Sequence, residues 1–335
     1  MAVIREHLAA KGLGLHNDLQ TEHSIVANHP LVLAIRDFGT PAQRDAFIPG
    51  LLDESQRMAF GLTEPQHGSD ATHMDTSAVR ESRAGRGGWR IDGEKMWTTG
   101  MHTATHCMVF ARTDGAAGDA RGISALLVPA QAAGVTIEEY LWTFNMPTDH
   151  PRVSFTHVWV DDCALLGPLD GGLAVAQHFV HENRIRQAAS SLGAAQYCIN
   201  EAVAYAKQRK PFGRPLASNQ AIQWPLIELH TEAAMLRTLI HKTAWEMDRM
   251  SKPDIARKLS DRVAMCNYRG NRLVCDAADR AMQVHGAIGY SRHKPFEHIY
   301  RHHRRYRITE GSEEIQMRRV GQYLFGFFRD RKAAD

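Results

Sequence analysis

The spacing of apolar residues changes twice along this chain, and this change restricts the fold more than any other feature. Up to about Arg57 the apolar residues recur every three or four positions, which is typical of helices that bury one face. Between about Met58 and Pro168 the period is two, as expected for strands. From Gly171 onward the helical period returns for nearly half of the chain. We therefore predict an α+β fold that is mainly helical, with N-terminal helices (1–57), a middle antiparallel β-barrel-like domain (58–168) and a C-terminal helical bundle (169–335).

Capping and breaking residues divide the two helical regions into predicted helices. Thr40-Pro41 has the pattern of an N-cap followed by a proline in the first helical turn, and Pro49-Gly50 is expected to interrupt the helix that follows. In the C-terminal region, breaks are predicted at Pro211–Gly213 and at Lys252-Pro253. The predicted helices there are Leu173–Arg209, Gln220–Met250, Ile255–Val284 and a short one from about Ser312 to Phe325.

The middle region consists of short runs with strand-like alternation, separated by turn residues. Trp89–Gly93 ends in Asp-Gly, a pair that favours the tight turn of a β-hairpin. The regular spacing of the runs is typical of an antiparallel sheet or barrel. Further strands are predicted at Cys107–Ala111, Ile123–Val128, Val135–Leu141 and Val153–Val160.

Composition excludes several classes of protein. Forty Lys and Arg against thirty-seven Asp and Glu leave a net charge of +3, which provides no general attraction to nucleic acid. The five cysteines are never spaced as CxxC, so we expect free, mostly buried thiols in a reducing cytoplasm. No apolar stretch approaches the roughly 18–20 residues that span a bilayer. Because Arg5 and Glu6 interrupt any leader-like run, we expect a cytoplasmic protein without membrane contact.

Two segments of the middle region could hold a planar ligand. The usual nucleotide motifs are missing, because Gly12-Leu13-Gly14 lacks a third glycine at the required offset and no Walker A sequence occurs. Leu62–Asp70 offers hydroxyls and backbone N–H groups that can bind a heterocycle or a phosphate, although such a loop is also a common polar turn. Lys95–Thr99 places an indole beside two hydroxyls, and this indole either packs on an aromatic cofactor or belongs to the core.

Three features of the C-terminal region have both a functional and a structural interpretation. Arg184 and Arg209 lie about seven helical turns apart and suit phosphate recognition, but their spacing alone favours solvated surface arginines. Gln283–Gly289 contains glycines that form a helix C-cap or allow close approach of a ligand. The basic run Arg301–Arg307 is either a solvated helix face or a contact for phosphates or for an acidic partner.

The segment before the last predicted helix contains three acidic residues. Ser312 has the position of an N-cap, and the helix dipole stabilises Glu313 and Glu314 without any functional role. Glu310 precedes the cap and is followed by Gly311, so its carboxylate can project from an irregular loop into a cleft. The local sequence supports both interpretations.

Taken in this order, the segments resemble the acyl-CoA dehydrogenase family over most of the chain, from about Gly12 to the C-terminus. Relative to that family the N-terminal helical region is shortened, Glu314 replaces a common glutamine and Ala287 replaces a common glycine. The matching pieces are Leu62–Asp70, Lys95–Thr99, Arg209–Gly213 with Gln220, Gln283–Ala287 and Glu310–Gln316.

The resemblance implies FAD bound between the β domain and the bundle and completed across a subunit interface. The implied flavin contacts are Leu62, Thr63, Ser69, Trp97, Thr98 and Thr99. The positions that would reach the cofactor of a neighbouring subunit are Arg209, Gln220, Gln283, Gly286 and Ala287. Ser312 and Glu314 match positions near the adenosine half, and the implied substrate contacts are Ser69, Arg184 and Gly311.

Glu310 matches the catalytic base of the family in the pattern EG[ST]xxIQ. The resemblance implies that Glu310 removes the α-proton of an acyl-CoA while FAD accepts the β-hydride, which yields a trans-2-enoyl-CoA. It also implies an electron-transfer flavoprotein as acceptor and a homodimer or homotetramer, without metal, membrane or nucleic acid. Two alternatives stay open: an oxygen-using flavin oxidase of the same superfamily, and a non-catalytic subunit of a heteromeric dehydrogenase.

Overall fold

The computed structural model describes residues 1–12, 29–144 and 146–327, which belong to two compact units. The sheet unit comprises residues 18–180, and the helical unit comprises residues 1–17 together with 181–335. The prediction of a mainly helical α+β chain is confirmed. Of the Gly12-Leu13-Gly14 motif, Leu13 and Gly14 lie outside the described residues.

In the sheet unit, the helices α2 (His29–Phe38) and α3 (Pro41–Leu52) precede the strands. The predicted start of α3 is confirmed by a capping box, in which the N–H of Gln43 donates to Thr40 Oγ1 (3.2 Å) and the N–H of Thr40 donates to Gln43 Oε1 (2.9 Å). The predicted interruption at Pro49-Gly50 is wrong, because both residues lie inside α3. Proline there removes a single N–H from the last turn, and its carbonyl still accepts from Asp53 N–H at 3.1 Å.

The strands of the sheet unit form one curled sheet. Their bounds are β1 (Met58–Gly61), β2 (Ser77–Arg83), β3 (Arg86–Lys95), β4 (His106–Arg112), β5 (Ile123–Pro129), β6 (Val135–Tyr140), β7 (Pro151–Asp161) and β8 (Leu165–Leu166). Their order is β6-β7-β3-β2-β4-β5-β8, with β1 beside β4. The strands predicted after Gly93 are confirmed as β4, β5, β6 and β7. Most ladders are antiparallel, but β1 and β2 pair with β4 in parallel, so the sheet is not purely antiparallel.

The predicted hairpin turn at Asp92-Gly93 is wrong. Both residues lie inside β3, where the register with β7 shifts between Ile91 and Gly93. Gly93 has a φ of 146°, and a Cβ at this position would lie 2.6 Å from the Cα of Thr76. A strand irregularity, rather than a turn, therefore requires this glycine. The turn that joins β2 to β3 is Ala84-Gly85, whose φ angles of 50° and 78° match a type I′ hairpin.

Alternation along the central strands places apolar side chains on both faces of the sheet. Met108 and Phe110 of β4 pack in a cluster with residues of α2 and α3 and with Val175. Val109, between them, belongs to a second cluster that also contains Val128 and Val158. The period of two that identified these strands is thus a direct consequence of burial on two faces.

The helical unit is built around long helices rich in small residues. Its helices are α1 (Ala2–Ala9), α4 (Gly172–Gln208, which begins in the sheet unit), α5 (Gln220–Met247), α6 (Lys252–Lys258), α7 (Ser260–His285), α8 (Phe296–Arg304) and α9 (Glu313–Leu324). Packing is close enough that a Cβ at Gly193 would lie 2.2 Å from the carbonyl oxygen of Glu6. The break at Pro211–Gly213 is confirmed. The helix predicted at Ile255–Val284 is divided at Leu259, and α8 was not predicted.

Two further expectations concern the whole chain. Within the described residues, none of the helices combines the length and the apolarity needed to cross a bilayer. The cysteines are unbridged, and Cys107, Cys198, Cys266 and Cys275 are buried whereas Cys163 is exposed, as expected for mostly buried thiols.

Candidate active site

Glu310 lies in a turn between α8 and α9 that has an uncommon backbone. The φ angles are 59° at Glu310 and 87° at Gly311, so two successive residues are left-handed. Glycine is favoured at the second position, because a φ of 87° is strained for other residues and a Cβ there would lie 3.0 Å from Nη2 of Arg184. A non-glycine residue persists in this conformation only where its surroundings hold it, and such residues concentrate at functional sites.

Side-chain donors hold the main chain of this turn. Arg184 donates from Nε (2.9 Å) and from Nη2 (2.6 Å) to the carbonyl oxygen of Glu310. Gln316, in the first turn of α9, donates to the carbonyl oxygens of Glu310 (3.1 Å) and Gly311 (3.0 Å). Both side chains act on the backbone, so they fix the position of Glu310 without bonding its carboxylate.

Glu313 braces the same turn through ion pairs. Its carboxylate accepts from Nε (3.0 Å) and Nη2 (2.9 Å) of Arg307 and from Nε of Arg272 (2.9 Å). These hydrogen bonds lower the pKa of Glu313 to about 2. Because Arg307 precedes the turn and Glu313 follows it, the pair closes the loop that presents Glu310. The helix dipole, which the sequence indicated for Glu313, does not account for this role.

The carboxylate of Glu310 meets a neutral donor instead of a cation. Oε1 accepts from Nδ2 of Asn183 (3.0 Å), and Nη1 of Arg186 lies 3.5 Å from Oδ1 of Asn183, which orients the amide. Oε2 accepts no hydrogen bond from the described residues. Burial raises the pKa of Glu310, and the hydrogen bond from Asn183 and the charges of Arg184, Arg305 and Arg186 only partly oppose this effect. A carboxylate with a raised pKa is a better acceptor for the proton of a weak carbon acid.

Arg184 is buried at this site, so the expectation of a solvated surface arginine is wrong for this residue. It is 7% exposed, and its own carbonyl oxygen accepts from Nδ2 of Asn267 at 3.0 Å. Burial lowers the pKa of Arg184 to about 10, which leaves the guanidinium charged at neutral pH. Arg209 is exposed, in agreement with that expectation.

The basic run Arg301–Arg307 is not a solvated helix face. None of its residues is exposed, and His302, His303 and Tyr306 are buried. Burial lowers the pKa of His303 to about 3, so this ring is neutral near pH 7. The expectation of a solvated face was wrong because arginine is mostly a surface residue, whereas α8 buries His298, His302 and His303 inside the helical unit.

The two candidate segments of the sheet unit, Leu62–Asp70 and Lys95–Thr99, lie side by side. The N–H of Met96 donates to the carbonyl oxygen of Thr63 at 2.8 Å. Trp97 has a φ of 58° and is 46% exposed, whereas Thr98 is fully buried. Of the other predicted contacts in this unit, Leu62, Thr63 and Thr99 are half-buried and Ser69 is exposed.

A buried ion pair at the junction of these segments was not predicted. Nζ of Lys95 lies 2.7 Å from Oε1 of Glu64, and the two side chains are 0% and 4% exposed. Lysine and glutamate are rarely buried, and 31 positions of sequence separate these two, so no local signal could have identified the pair.

The hydrogen bonding of Thr98 indicates whether these two segments suit the expected cofactor, FAD. Its N–H donates to the carbonyl oxygen of Pro151 (3.2 Å), but among the described residues its buried hydroxyl has no hydrogen-bond partner. A buried hydroxyl without a partner costs free energy, which a polar atom of a ligand would recover. The exposed indole of Trp97 beside it offers a flat face to an aromatic ring. The residues present therefore fit FAD.

A second group of predicted residues lies at one end of the helical unit, and all its members are exposed: Arg209, Gln220, Gln283, Gly286 and Ala287. Arg280 of α7 donates to the carbonyl oxygen of Ala221 at the start of α5 (2.7 Å). The ring of His285 stacks on that of Tyr205, with 4.3 Å between the ring centroids. These contacts bring the ends of α4, α5 and α7 together. Tyr205 lies about 30 Å along α4 from Arg184. We call these five residues the end group, which is remote from Glu310 in the same chain.

The remaining predicted residues lie at the start of α9, and Gly286 of the end group lies at the end of α7. Ser312 occupies the N-cap position of α9 as predicted, but its side chain makes no capping hydrogen bond, and Glu314 is exposed. Gly286 is the C-cap of α7, as the structural interpretation predicted. Within the described residues, no cluster of His, Cys, Asp and Glu could hold a metal ion.

Known proteins are similar to this chain in sequence and in fold. Two family models match: acyl-CoA dehydrogenase, middle domain, over residues 59–158, and acyl-CoA dehydrogenase, C-terminal domain, over residues 170–325. A probable acyl-CoA dehydrogenase of Mycobacterium tuberculosis is 34% identical over 291 residues, which cover 85% of this chain and 69% of that protein. A caffeyl-CoA reductase-Etf complex subunit of Acetobacterium woodii is 29% identical over 294 residues, which cover 87% and 73%. The structure of butyryl-CoA dehydrogenase from Megasphaera elsdenii superposes with a TM-score of 0.82 at 27% identity and covers 97% of this chain and 81% of that one.

Proposed function

The chain belongs to the acyl-CoA dehydrogenase family, and we propose that it dehydrogenates an acyl-CoA thioester between the α- and β-carbons to give a trans-2-enoyl-CoA. Enzymes of this family are oxidoreductases and FAD flavoproteins. Bound FAD supplies the acceptor for the hydride that leaves the β-carbon. In our proposal Glu310 is the base that takes the α-proton.

The observation that supports this role is that the main chain and the side chain of Glu310 have different hydrogen-bond donors. Arg184 and Gln316 donate to the carbonyl oxygen and hold the turn, while the carboxylate accepts, among the described residues, only from the amide of Asn183. A direct ion pair would lower the pKa of Glu310 and weaken it as a base. Here burial prevails and the pKa is raised, which brings the carboxylate closer to the pH at which it works.

We assign the α-proton and the thioester carbonyl of the substrate to different groups of this turn. Oε2 of Glu310 accepts no hydrogen bond from the described residues, so we assign the α-proton to this oxygen. The backbone N–H groups of Glu310 and Gly311 likewise have no acceptor within the described part of the chain. We assign one of them to the thioester oxygen, because a donor there stabilises the negative charge that develops as the proton leaves.

The cofactor contacts are proposed from the family match and the geometry of each unit. Thr98 and Trp97 would contact the flavin, together with Leu62, Thr63, Ser69 and Thr99. The end group lies too far from Arg184 along α4 to serve the site of its own chain, which supports a homodimer or homotetramer in which it completes a neighbour's site. Ser312 and Glu314 are proposed for the adenosine half of the cofactor. Ser69, Arg184 and Gly311 are proposed for the substrate. The proposed domain boundaries lie at 57/58 and 168/169.

An electron-transfer flavoprotein is the proposed partner that reoxidises the enzyme. The relative from Acetobacterium woodii is by name a subunit of a reductase-Etf complex, which supports this choice. The oxidase and the non-catalytic subunit are the alternatives that an experiment must separate.

Anaerobic titration of the FAD-loaded protein with acyl-CoAs of different chain length tests the proposal. We expect one acyl class to bleach the visible absorbance of the flavin, and we expect Glu310→Gln to bind FAD without bleaching. Bleaching of the variant at the wild-type rate would refute the role of Glu310. Peroxide formed in air without another acceptor would indicate the oxidase. A protein that takes up no FAD would indicate the non-catalytic subunit.

A further inference from the structure

The buried ion pair of Glu64 and Lys95 lies where the two cofactor segments of the sheet unit meet. Lys95 is the last residue of β3, immediately before Met96 and Trp97. Glu64 immediately follows Thr63, in a short turn closed by hydrogen bonds between its main chain and that of His67 (3.0 and 3.3 Å). Nothing in the proposed proton transfer uses either side chain.

The pair ties three stretches of chain together. Nζ of Lys95 donates to Oε1 of Glu64 (2.7 Å) and also to the carbonyl oxygen of Leu62 (3.2 Å). The carboxylate of Glu64 in turn accepts from the N–H of Asp75 (2.6 Å) and from the N–H of Thr76 (3.0 Å). The positions of Leu62 and Thr63 relative to the end of β3 are therefore set by two charged side chains.

Stability alone does not account for such a pair. Taking two charges out of water is costly, and well-packed apolar residues in place of a buried ion pair are often neutral or stabilising. Apolar residues could not, however, supply four directed hydrogen bonds to backbone and side-chain partners. What the ion pair provides is a fixed register between segments, which matters where groups on both must contact one ligand.

We propose that Glu64 and Lys95 are positioning residues for the cofactor, which hold Leu62–Thr63 against Trp97–Thr98 without touching the cofactor themselves. The inference rests on the proposed function, because it assumes that these four residues contact the flavin. It predicts that the pair controls the affinity and the environment of FAD in addition to the stability of the sheet unit.

FAD binding by the full-length protein tests this role. The main variant is the double substitution Glu64→Gln with Lys95→Met, in which both charges leave together and no unpaired ion stays buried. We expect its Kd for FAD to rise about 10- to 100-fold, by analogy with residues that orient the ligands of a bound metal ion. We also expect altered fine structure in the visible band of the bound flavin. Glu64→Gln alone keeps an acceptor for Lys95 and should give a smaller rise.

Val158→Ala is the matched control. Val158 is fully buried in the same unit, and its truncation lowers stability without touching the segments that the ion pair joins. The control should melt earlier and yet keep the wild-type Kd and flavin spectrum. A double variant that binds FAD with the wild-type Kd and spectrum would overturn the inference alone. A wild-type protein that binds no FAD would overturn the proposed function as well.

Discussion

Glu64 in the sheet unit is buried and Glu310 in the helical unit is half-buried, and their pKa values move in opposite directions. For Glu64 of the sheet unit, burial alone would raise the pKa, but the charge of Lys95 and the hydrogen bonds from Lys95, Thr76 and Asp75 outweigh it and lower the pKa. For Glu310 of the helical unit, burial prevails and the pKa is raised. This contrast is unexpected, because Glu310 has more cations nearby than Glu64.

The difference lies in which atom each cation bonds. Lys95 bonds the carboxylate of Glu64 directly, whereas Arg184 bonds the backbone carbonyl of Glu310 and Arg186 bonds the amide of Asn183. A hydrogen-bonded charge pair stabilises the ionised form far more than a cation at longer range. An acid locked into an ion pair is suited to hold structure, and an acid whose backbone alone is clamped is suited to exchange a proton.

The largest expected effect comes from making the same substitution at both glutamates. Glu310→Gln should lower turnover about 10²- to 10⁴-fold, the usual contribution of a general base, because the amide cannot accept the proton. Glu64→Gln should leave turnover within a few-fold of wild type once FAD is saturating, since Glu64 exchanges no proton in the proposed reaction. The measurement is the steady-state rate with a reactive acyl-CoA. Equal losses in the two variants would remove the functional distinction between the sites.

The next effect concerns the stability that the ion pair confers. Lys95→Met leaves the carboxylate of Glu64 buried without its cation, which should destabilise the protein by about 3–5 kcal/mol. Adding Glu64→Gln to Lys95→Met removes the orphan charge and should recover much of that loss. Urea unfolding of the apoprotein with both single variants and the double variant gives the coupling energy. A double variant no more stable than Lys95→Met would show that charge burial is not the source of the effect.

The third prediction concerns the hydrogen bond from Asn183 to the carboxylate of Glu310. Asn183→Ala removes the hydrogen bond that the carboxylate of Glu310 accepts from Asn183, so the pKa of Glu310 should rise further. The acid limb of the kcat/KM profile should then move to higher pH, by about one unit for a hydrogen bond to a charged group.

Two companion variants control the experiment at Asn183. Asn183→Asp places a second acid beside Glu310 and should move the acid limb further in the same direction. Asn200→Ala changes an exposed asparagine of the same helix and should move nothing. If Asn183→Ala has the wild-type pH profile, this hydrogen bond does not tune the base.

Much of the fold could be predicted because burial leaves a period in the sequence. Alternation identified β4 to β7, and the helical period identified α4 and α5 to within a few residues. The errors arose where a local signal competes with packing. Asp92-Gly93 has the composition of a turn but forms an irregularity inside β3, where Thr76 leaves no room for a Cβ.

The candidate site was predictable in part for a similar reason. Glu310, Gly311 and Gln316 belong to one short stretch, so their pattern is visible in the sequence. Asn183, Arg184 and Arg186, which act on the pKa of Glu310, come from α4. The partner of Lys95 comes from a turn before β2, so both sites depend on tertiary contacts. Polar residues buried in this way have surface-like composition, and neither their burial nor their partners can be inferred from the residue type alone.

The smallest expected effect is the pH dependence of stability, and its sign should differ between the two glutamates. Both carboxyls have an ordinary pKa of 4.5. Between 4.5 and the raised pKa of Glu310, the folded protein binds more protons than the unfolded chain, so Glu310 makes the free energy of unfolding fall as pH rises. Glu310→Gln should therefore gain stability relative to wild type across this window, by about 1.4 kcal/mol per unit of pKa difference.

For Glu64 the folded pKa is lowered, so its stabilising contribution is fully present above 4.5 and is lost as pH falls through the folded pKa. Glu64→Gln should accordingly be less stable than wild type at neutral pH, and the difference should shrink on acidification. Urea unfolding of the three apoproteins at a series of pH values measures both slopes. Differences of the same sign would mean that the two carboxylates have similar electrostatic surroundings, whereas opposite signs follow from a cation that bonds the carboxylate in one unit and the backbone in the other.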